Sequence, residues 1–272
     1  MDREKIALTG VQETLLATLY GRALDSRSPD SVLGDTAADE VVKRIDYDFD
    51  STRMMGTAAT GIAIRAKVID TWTSQFMAEH PSATVLHLGC GLDTRVQRLL
   101  PPASVRWFDV DVPDVMQLRS RLLPAPPGNY HALGASVTDA EWLSHVPDDR
   151  PTVAVLEGLS MYLPARDGQR LIQRITSRFP SGQLLFDVYS ELGIKLQRLV
   201  PAVRNAKATL QWGVNGPLEI EALHAGLECV DDLSLVDLPG LNRLPLPGRI
   251  KVVVTARIPK LREVGRIMRF QF

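Results

Sequence analysis

From Ala83 onward the chain changes texture, and this change constrains the fold more than any other feature of the sequence. Thr84-Val85-Leu86-His87-Leu88 is a short, mostly apolar run that closes on Gly89, the pattern of a strand buried on both faces. Strand-like runs recur at 104–109, 129–134, 152–156 and 183–188. Helical stretches lie between them near 93–100, 113–122, 139–145 and 164–178, with Pro164 suited to a first helical turn. Such alternation predicts an α/β fold, a mostly parallel sheet with helices on both sides. The end breaks the pattern. Residues 227–238 and 249–258 read as strands, and the loop from Pro239 to Gly248 is too short for a crossover helix, so these two are expected to pair antiparallel.

Before Ala83 the chain reads as helical. Between Val11 and Leu24 an amphipathic period places Leu15, Leu16, Leu19, Tyr20 and Ala23 on one face. Thr36-Ala37-Ala38-Asp39 fits a capping box opening a short helix to about Ile45. From Thr60 to Ala78, Ile62, Ile64, Ala66, Val68, Ile69, Trp72 and Phe76 predict a long helix ended by His80-Pro81. With 272 residues against a prior of ~150 per domain, one large unit or one with an appendage is expected. The division is a helical cap over 1–82 and a core over 83–272, acting together, with an insertion or lid near 191–216. The last fourteen residues, after 258, trail behind the sheet.

Charge is balanced overall but not along the chain. The net of −1 argues against a dedicated nucleic-acid binder. Residues 1–50 carry 6 Lys/Arg against 11 Asp/Glu, whereas residues 249–272 carry 7 against Glu263 alone. The two ends read as solvated faces or, for the basic one, as a surface for an acidic partner. Cys90 and Cys229 form no CxxC pair, so no metal site is expected and a reduced, cytoplasmic setting is the default. No run reaches the ~20 apolar residues of a spanning helix, so no membrane partner is expected.

The chemistry gathers at strand ends. Leu88-Gly89-Cys90-Gly91-Leu92-Asp93-Thr94-Arg95 follows the first buried strand, and its glycines let a nucleotide or amino acid lie against the backbone. A dinucleotide fingerprint wants a third glycine where Thr94 stands, which disfavours pyrophosphate. That departure does not disfavour S-adenosylmethionine (AdoMet), which has no phosphates. Asp111, 20 residues past Gly91, has the spacing for ribose recognition, and Asp109 alternates with it. Glu157 ends a buried strand and is costly to desolvate without a partner, a role for an amine, hydroxyl or sulfonium in the crevice. Arg65, in the long helix, suits bidentate binding of a carboxylate. Of the five histidines none sits in a catalytic motif, and His87 reads as a satisfied core residue.

These motifs together resemble one family. They are Leu8-Thr9-Gly10-Val11-Gln12-Glu13-Thr14-Leu15-Leu16, Tyr20-Gly21-Arg22-Ala23, Asp35 with Ala38, Ile45-Asp46-Tyr47-Asp48-Phe49 and Ile64-Arg65. To these add the Leu88–Arg95 segment, Asp109-Val110-Asp111-Val112-Pro113 and Glu157-Gly158-Leu159-Ser160-Met161-Tyr162-Leu163. The chain resembles the leucine carboxyl methyltransferase-like enzymes, in the bacterial branch of polyketide-tailoring O-methyltransferases. The resemblance implies a class I methyltransferase fold: a seven-stranded, mostly parallel sheet with an antiparallel C-terminal hairpin and an N-terminal helical cap.

It also implies an AdoMet site: Arg65 on the methionyl carboxylate, Gly89, Gly91 and Asp93 along the methionine, Asp111 and Val112 at the ribose, and Glu157-Gly158 near the amino group. Ser136-Val137, with Asp139 and Trp142, stand in the register of the adenine motif, but Ser136 replaces its usual Asp. Tyr20, Arg22 and Tyr162 are the candidate catalytic or substrate-anchoring residues, Tyr189 is a further pocket candidate, and Trp212 belongs to the insertion or lid near 191–216. The implied activity is O-methylation of a carboxylate or hydroxyl of a small-molecule secondary metabolite. A protein C-terminal carboxylate is the alternative acceptor; an NAD-type oxidoreductase and a non-catalytic binding module are the alternatives of other classes. The sequence fixes no oligomeric state.

Overall fold

Side chains alternate along a strand with a period of two, and that decides how the middle of this chain packs. The computed structural model describes residues 3–6, 11–199, 203–204 and 208–272, and in it the alternation builds a seven-stranded sheet. The N-terminal segment forms β1 (Glu4–Lys5), α1 (Val11–Ser26), α2 (Thr36–Arg44), β2 (Ile45–Asp46) and α3 (Gly56–Glu79). The main sheet comprises β3 (Thr84–Leu88), β4 (Arg106–Asp111), β5 (Asn129–Gly134), β6 (Thr152–Leu156), β7 (Gly182–Tyr189), β8 (Glu228–Ser234) and β9 (Gly265–Gln271). Its spatial order is β5-β4-β3-β6-β7-β9-β8, with β9 antiparallel to both neighbours and the other pairs parallel. The helices α4 (Arg95–Leu99), α5 (Pro113–Leu122) and α6 (Ala165–Arg178) connect the parallel strands.

Parity along each strand sorts the core into two layers. Leu86, Leu88, Phe108, Val110, Ala154, Leu156, Leu184 and Phe186 pack on one face with Leu171 and Ile175 of α6. Val85, Trp107, Val153, Val155 and Leu185 take the other, under Ile64, Val68, Ile69, Trp72 and Phe76 of α3. Each such side chain contributes roughly 1.5–3 kcal/mol on full burial. The outer helices form a smaller core, in which Leu16, Leu19 and Ala23 of α1 meet Val41 and Val42 of α2 and Leu118 and Leu122 of α5.

Two local readings are corrected. The N-cap of α2 is Asp35, not Thr36: its carboxylate accepts from Ala38 N at 3.1 Å. The antiparallel finish is present, but residues 249–258 do not supply it. All but the last two lie in a helix, Leu246–Ala256, and the partner strand is β9, in the residues expected to trail behind the sheet. The Val-Val-Val run has strand propensity, but Pro247 in the first helical turn and apolar residues at helical spacing decide for helix. In β9, Ile267 packs on the α3 face and Met268 and Phe270 on the α6 face, the alternation of a fully covered strand.

Candidate active site

Strand order reverses between β3 and β6, and the carboxyl ends of strands on either side of such a switch point open a crevice. There the protein holds a cavity of about 660 Å³, within the range of small-molecule sites. Arg22, Arg65, Gly89, Gly91, Asp93, Asp111, Val112, Ser136, Val137, Glu157, Gly158, Tyr162 and Tyr189 all line it. Tyr20 is not among the lining residues; its ring packs on Phe49 at 5.0 Å between centroids. Trp212 is buried against α6, where a side chain on Gly168 would stand 2.2 Å from its ring. The proposed insertion near 191–216 falls partly outside the described residues, and within them Val203 lines the cavity.

The turn after β3 carries Gly89 at φ 63° and Gly91 at φ 49°, left-handed values that favour glycine. A Cβ on Gly89 would also stand 2.9 Å from Leu159 Cδ1. The turn positions Asp111, which accepts from Gly91 N and Val112 N, each at 2.8 Å. Burial pushes the Asp111 carboxyl up from its ordinary range, against the pull of those two N–H groups. Asp109, two residues earlier on the same face, is sealed in. It accepts from Trp107 Nε1 and Tyr130 Oη at 2.8 Å and from Arg119 at 2.5 Å, and burial is outweighed by Arg119, so the carboxyl is held low.

Glu157 has partners within the protein, so its burial does not depend on a ligand. Arg65 Nε donates to Oε1 at 3.0 Å, and Arg95 binds Oε2. Burial alone would raise Glu157; the two arginines win and hold it below its ordinary value. Arg65 is shared: its Nη1 donates to Asp187 Oδ2 at 2.9 Å. Nη2 faces the Gly158 turn, where a Cβ would stand 3.8 Å away. Asp187 also accepts from Gly158 N at 2.6 Å, and burial raises its carboxyl despite Arg65. Sequence reasoning passed over Asp187, although an acid near the end of an apolar strand is the signal that singled out Glu157.

Beneath the cavity lies a network that the sequence reading also missed. Arg95 Nε bonds Asp70 Oδ1 at 2.7 Å, and Arg98 bonds Asp70, Asp93 and Asp35 at 2.8–2.9 Å. Arg22 lies 3.4 Å from Asp35, yet its buried Nε has no hydrogen-bond partner among the described residues. His87 Nε2 is 3.1 Å from Arg95 Nη1, which can only donate, so Nδ1 carries the proton toward Asp109 at 2.9 Å. Both ring nitrogens are occupied, as expected of a core histidine. Ser136 Oγ is 2.7 Å from Thr138 Oγ1, and Trp142 Nε1 donates to Val137 O at 3.3 Å. Burial raises Tyr162 and pushes Tyr189 up to about 12, so both stay protonated hydroxyls at neutral pH. Among the described residues no cluster of three metal-ligating side chains occurs.

A seven-stranded sheet with this order and an antiparallel β9, opening at its switch point on a glycine turn with an acid after the second strand, defines the class I AdoMet-dependent methyltransferases. A crystal structure of a proposed methyltransferase from Thermobifida fusca shares the fold, with a TM-score of 0.56 and 19% identity over 92% of this chain and 93% of that one. The leucine carboxyl methyltransferase family model matches residues 15–176, and the chain belongs to that family. It is 42% identical over 99% of both chains to the tetracenomycin polyketide synthesis O-methyltransferase of Streptomyces glaucescens. It is 35% identical to an AdoMet-dependent methyltransferase of Gibberella zeae, covering 84% of this chain and 83% of the other. The protein is accordingly an AdoMet-dependent methyltransferase.

Proposed function

We propose that the protein methylates the carboxylate of a largely apolar, polyketide-like small molecule and releases a methyl ester. The full-length likeness to the polyketide O-methyltransferase supports the substrate class. The observation that carries the choice of carboxylate over phenol is the state of the ionisable groups around the cavity. His87, the only histidine lining it among the described residues, has both nitrogens occupied. Asp93 and Glu157 are tied to arginines, and Tyr162 and Tyr189 hold their protons. A phenol, with a pKa near ~10, calls for a base; a carboxylate near ~4 arrives ionised and calls for an anchor. Arg22 and Arg53 on the lining supply cationic donors for that anchor.

The residues present fit AdoMet. The cavity has its volume, Asp111 sits beside the glycine turn, and no Cβ fills the turns at Gly89, Gly91 and Gly158. When bound, AdoMet supplies a methyl group on sulfonium, activated for in-line displacement. In this reading Asp111 takes the ribose hydroxyls, Arg65 Nη2 the methionyl carboxylate, Glu157 the amino group and Ser136 the adenine edge. The apolar walls, among them Met54, Ile62, Leu159 and Leu238, exclude water and hold the acceptor's hydrocarbon. Orientation in such a pocket supplies much of a transfer rate. The helices of residues 11–79 act as a cap that brings Arg22 and Arg65 to the core.

The test is to supply polycyclic aromatic acceptors carrying a carboxyl, a phenol or both, with AdoMet, and identify the product by mass spectrometry and mild alkaline hydrolysis. A base-labile methyl ester is expected. An alkali-stable aryl ether as the sole product overturns the carboxylate assignment.

A further inference from the structure

The helix Leu246–Ala256 has its apolar face on the outside. Leu246, Ile250, Val253 and Val254, spaced as one helical stripe, are 66%, 56%, 51% and 53% exposed, and Ile258 just beyond is 44% exposed. Its inner side is the thin one: Gly248 is buried against Thr57, which a Cβ there would meet at 2.6 Å. In sequence the stripe follows directly on residues that line the cavity. Pro245 packs beside Gly56, next to Met55 at 74% exposure, and Leu235, Leu238 and Leu241 of the segment leading into the helix line the cavity itself. Most of the other large exposed apolar side chains of the described residues, Leu100, Leu218 and Val230, lie elsewhere in the sequence.

Charge identifies what covers this face. Residues 239–262 contain six basic residues and no acidic one. Arg262 pairs with Asp237, and Arg243 donates to Ser31 O. Arg249, Lys251, Arg257 and Lys260 make no ion pair among the described residues. A two-fold pairing of this face with itself would oppose these cations directly. The acidic end of a second copy offers opposite charge, but residues 3–6 and 11–50 expose no large apolar side chain to receive the stripe. An apolar stripe flanked by cations, exposed on the helix that follows three cavity-lining leucines, matches a helix that lies in the plane of a lipid interface.

We propose that this face docks the enzyme on an anionic lipid surface, with the stripe at the acyl boundary and the four unpaired cations on headgroup phosphates. Docking presents the cavity mouth to an apolar acceptor dissolved in the bilayer. Nothing spans the bilayer in this arrangement: among the described residues no helix is long and apolar enough to cross it.

The experiment is vesicle flotation of the full chain with phosphatidylcholine alone and with phosphatidylcholine mixed equally with phosphatidylglycerol. Binding to the mixed vesicles only, released by high salt, is expected. Arg249→Glu with Lys251→Glu should weaken it by about fivefold or more per charge. Ile250→Ser with Val253→Ser should abolish it, with AdoMet affinity unchanged as the folding control in both variants. Absence of flotation with mixed vesicles overturns the proposal, and so does equal binding to neutral vesicles. If the wild type is a dimer that the serine variant makes monomeric, and neither floats, the occupant is a second copy and the lipid assignment fails. None of these readouts depends on which acceptor is methylated.

Discussion

In the proposed reading Ser136 meets the adenine edge where the family resemblance implies an Asp, and that difference has a direction. A hydroxyl shared with Thr138 accepts a neutral hydrogen bond, whereas a carboxylate in its place accepts a charge-assisted one. Ser136→Asp should therefore tighten AdoMet binding by about fivefold, roughly 1 kcal/mol, in titration calorimetry. Unchanged or weaker binding would mean that adenine does not reach Ser136. At this scale the sequence displayed the site well wherever a residue's type and its place in the chain point the same way. Gly89, Gly91, Asp111, Glu157 and Arg65 stand at strand ends or on the helix before them, and all line one cavity. What it did not display is pairing across the chain. Asp187 lies 122 residues from the Arg65 it binds, and Asp35 lies 63 from Arg98. No local pattern encodes such contacts, so the partners that keep Glu157 and Arg65 charged stayed hidden.

Elements were legible where a single period ruled. The parallel strands and α5 and α6 fall close to their expected bounds, because apolar runs between turn residues leave few alternatives. The C-terminal helix was misread because β-branched Val252–Val254 mimic a strand locally, while the cue for helix, a stripe spaced over residues 246–254, lies on the exposed side. Register between elements rests on smaller features, and Gly182 is the sharpest. It pairs with Thr152 where β7 begins, and a Cβ there would sit 1.9 Å from Thr152 O, a backbone atom with no freedom to retreat. Gly182→Ala should force β6 and β7 apart at this end and cost about 3 kcal/mol or more, the range of severe overpacking. Denaturant melts of the two proteins measure this directly. A loss under about 1 kcal/mol would show that the strand end yields.

Across the whole molecule, two sets of carboxylates are tuned in opposite directions, and acid should separate them. Asp70, Asp93 and Glu157 are buried, but the arginines around them outweigh burial and hold all three below their ordinary values of 3.8, 3.8 and 4.5. They join α3, α4 and β6 through Arg95 and Arg98, and Asp35 extends the same network to the start of α2. A depressed carboxyl adds stability that is complete above its unfolded pKa and is lost only as pH falls through the lower folded one. The scaffold should thus survive mild acid and unfold below the ordinary carboxylate range. Asp111 is shifted the other way, raised from its ordinary value by burial. If its ionised form holds the ribose, AdoMet affinity must decline while the scaffold is still intact. An acid titration followed in parallel by cofactor binding and by far-UV circular dichroism should show two transitions, with binding lost at the higher pH. Asp111→Asn should remove this group's share of the first transition and leave the second in place, while Asp187, also raised by burial beside Arg65, supplies the remainder. Coincident loss of binding and helicity would mean that the cofactor site has no titrating group of its own and is released only when the arginine–carboxylate network beneath it collapses.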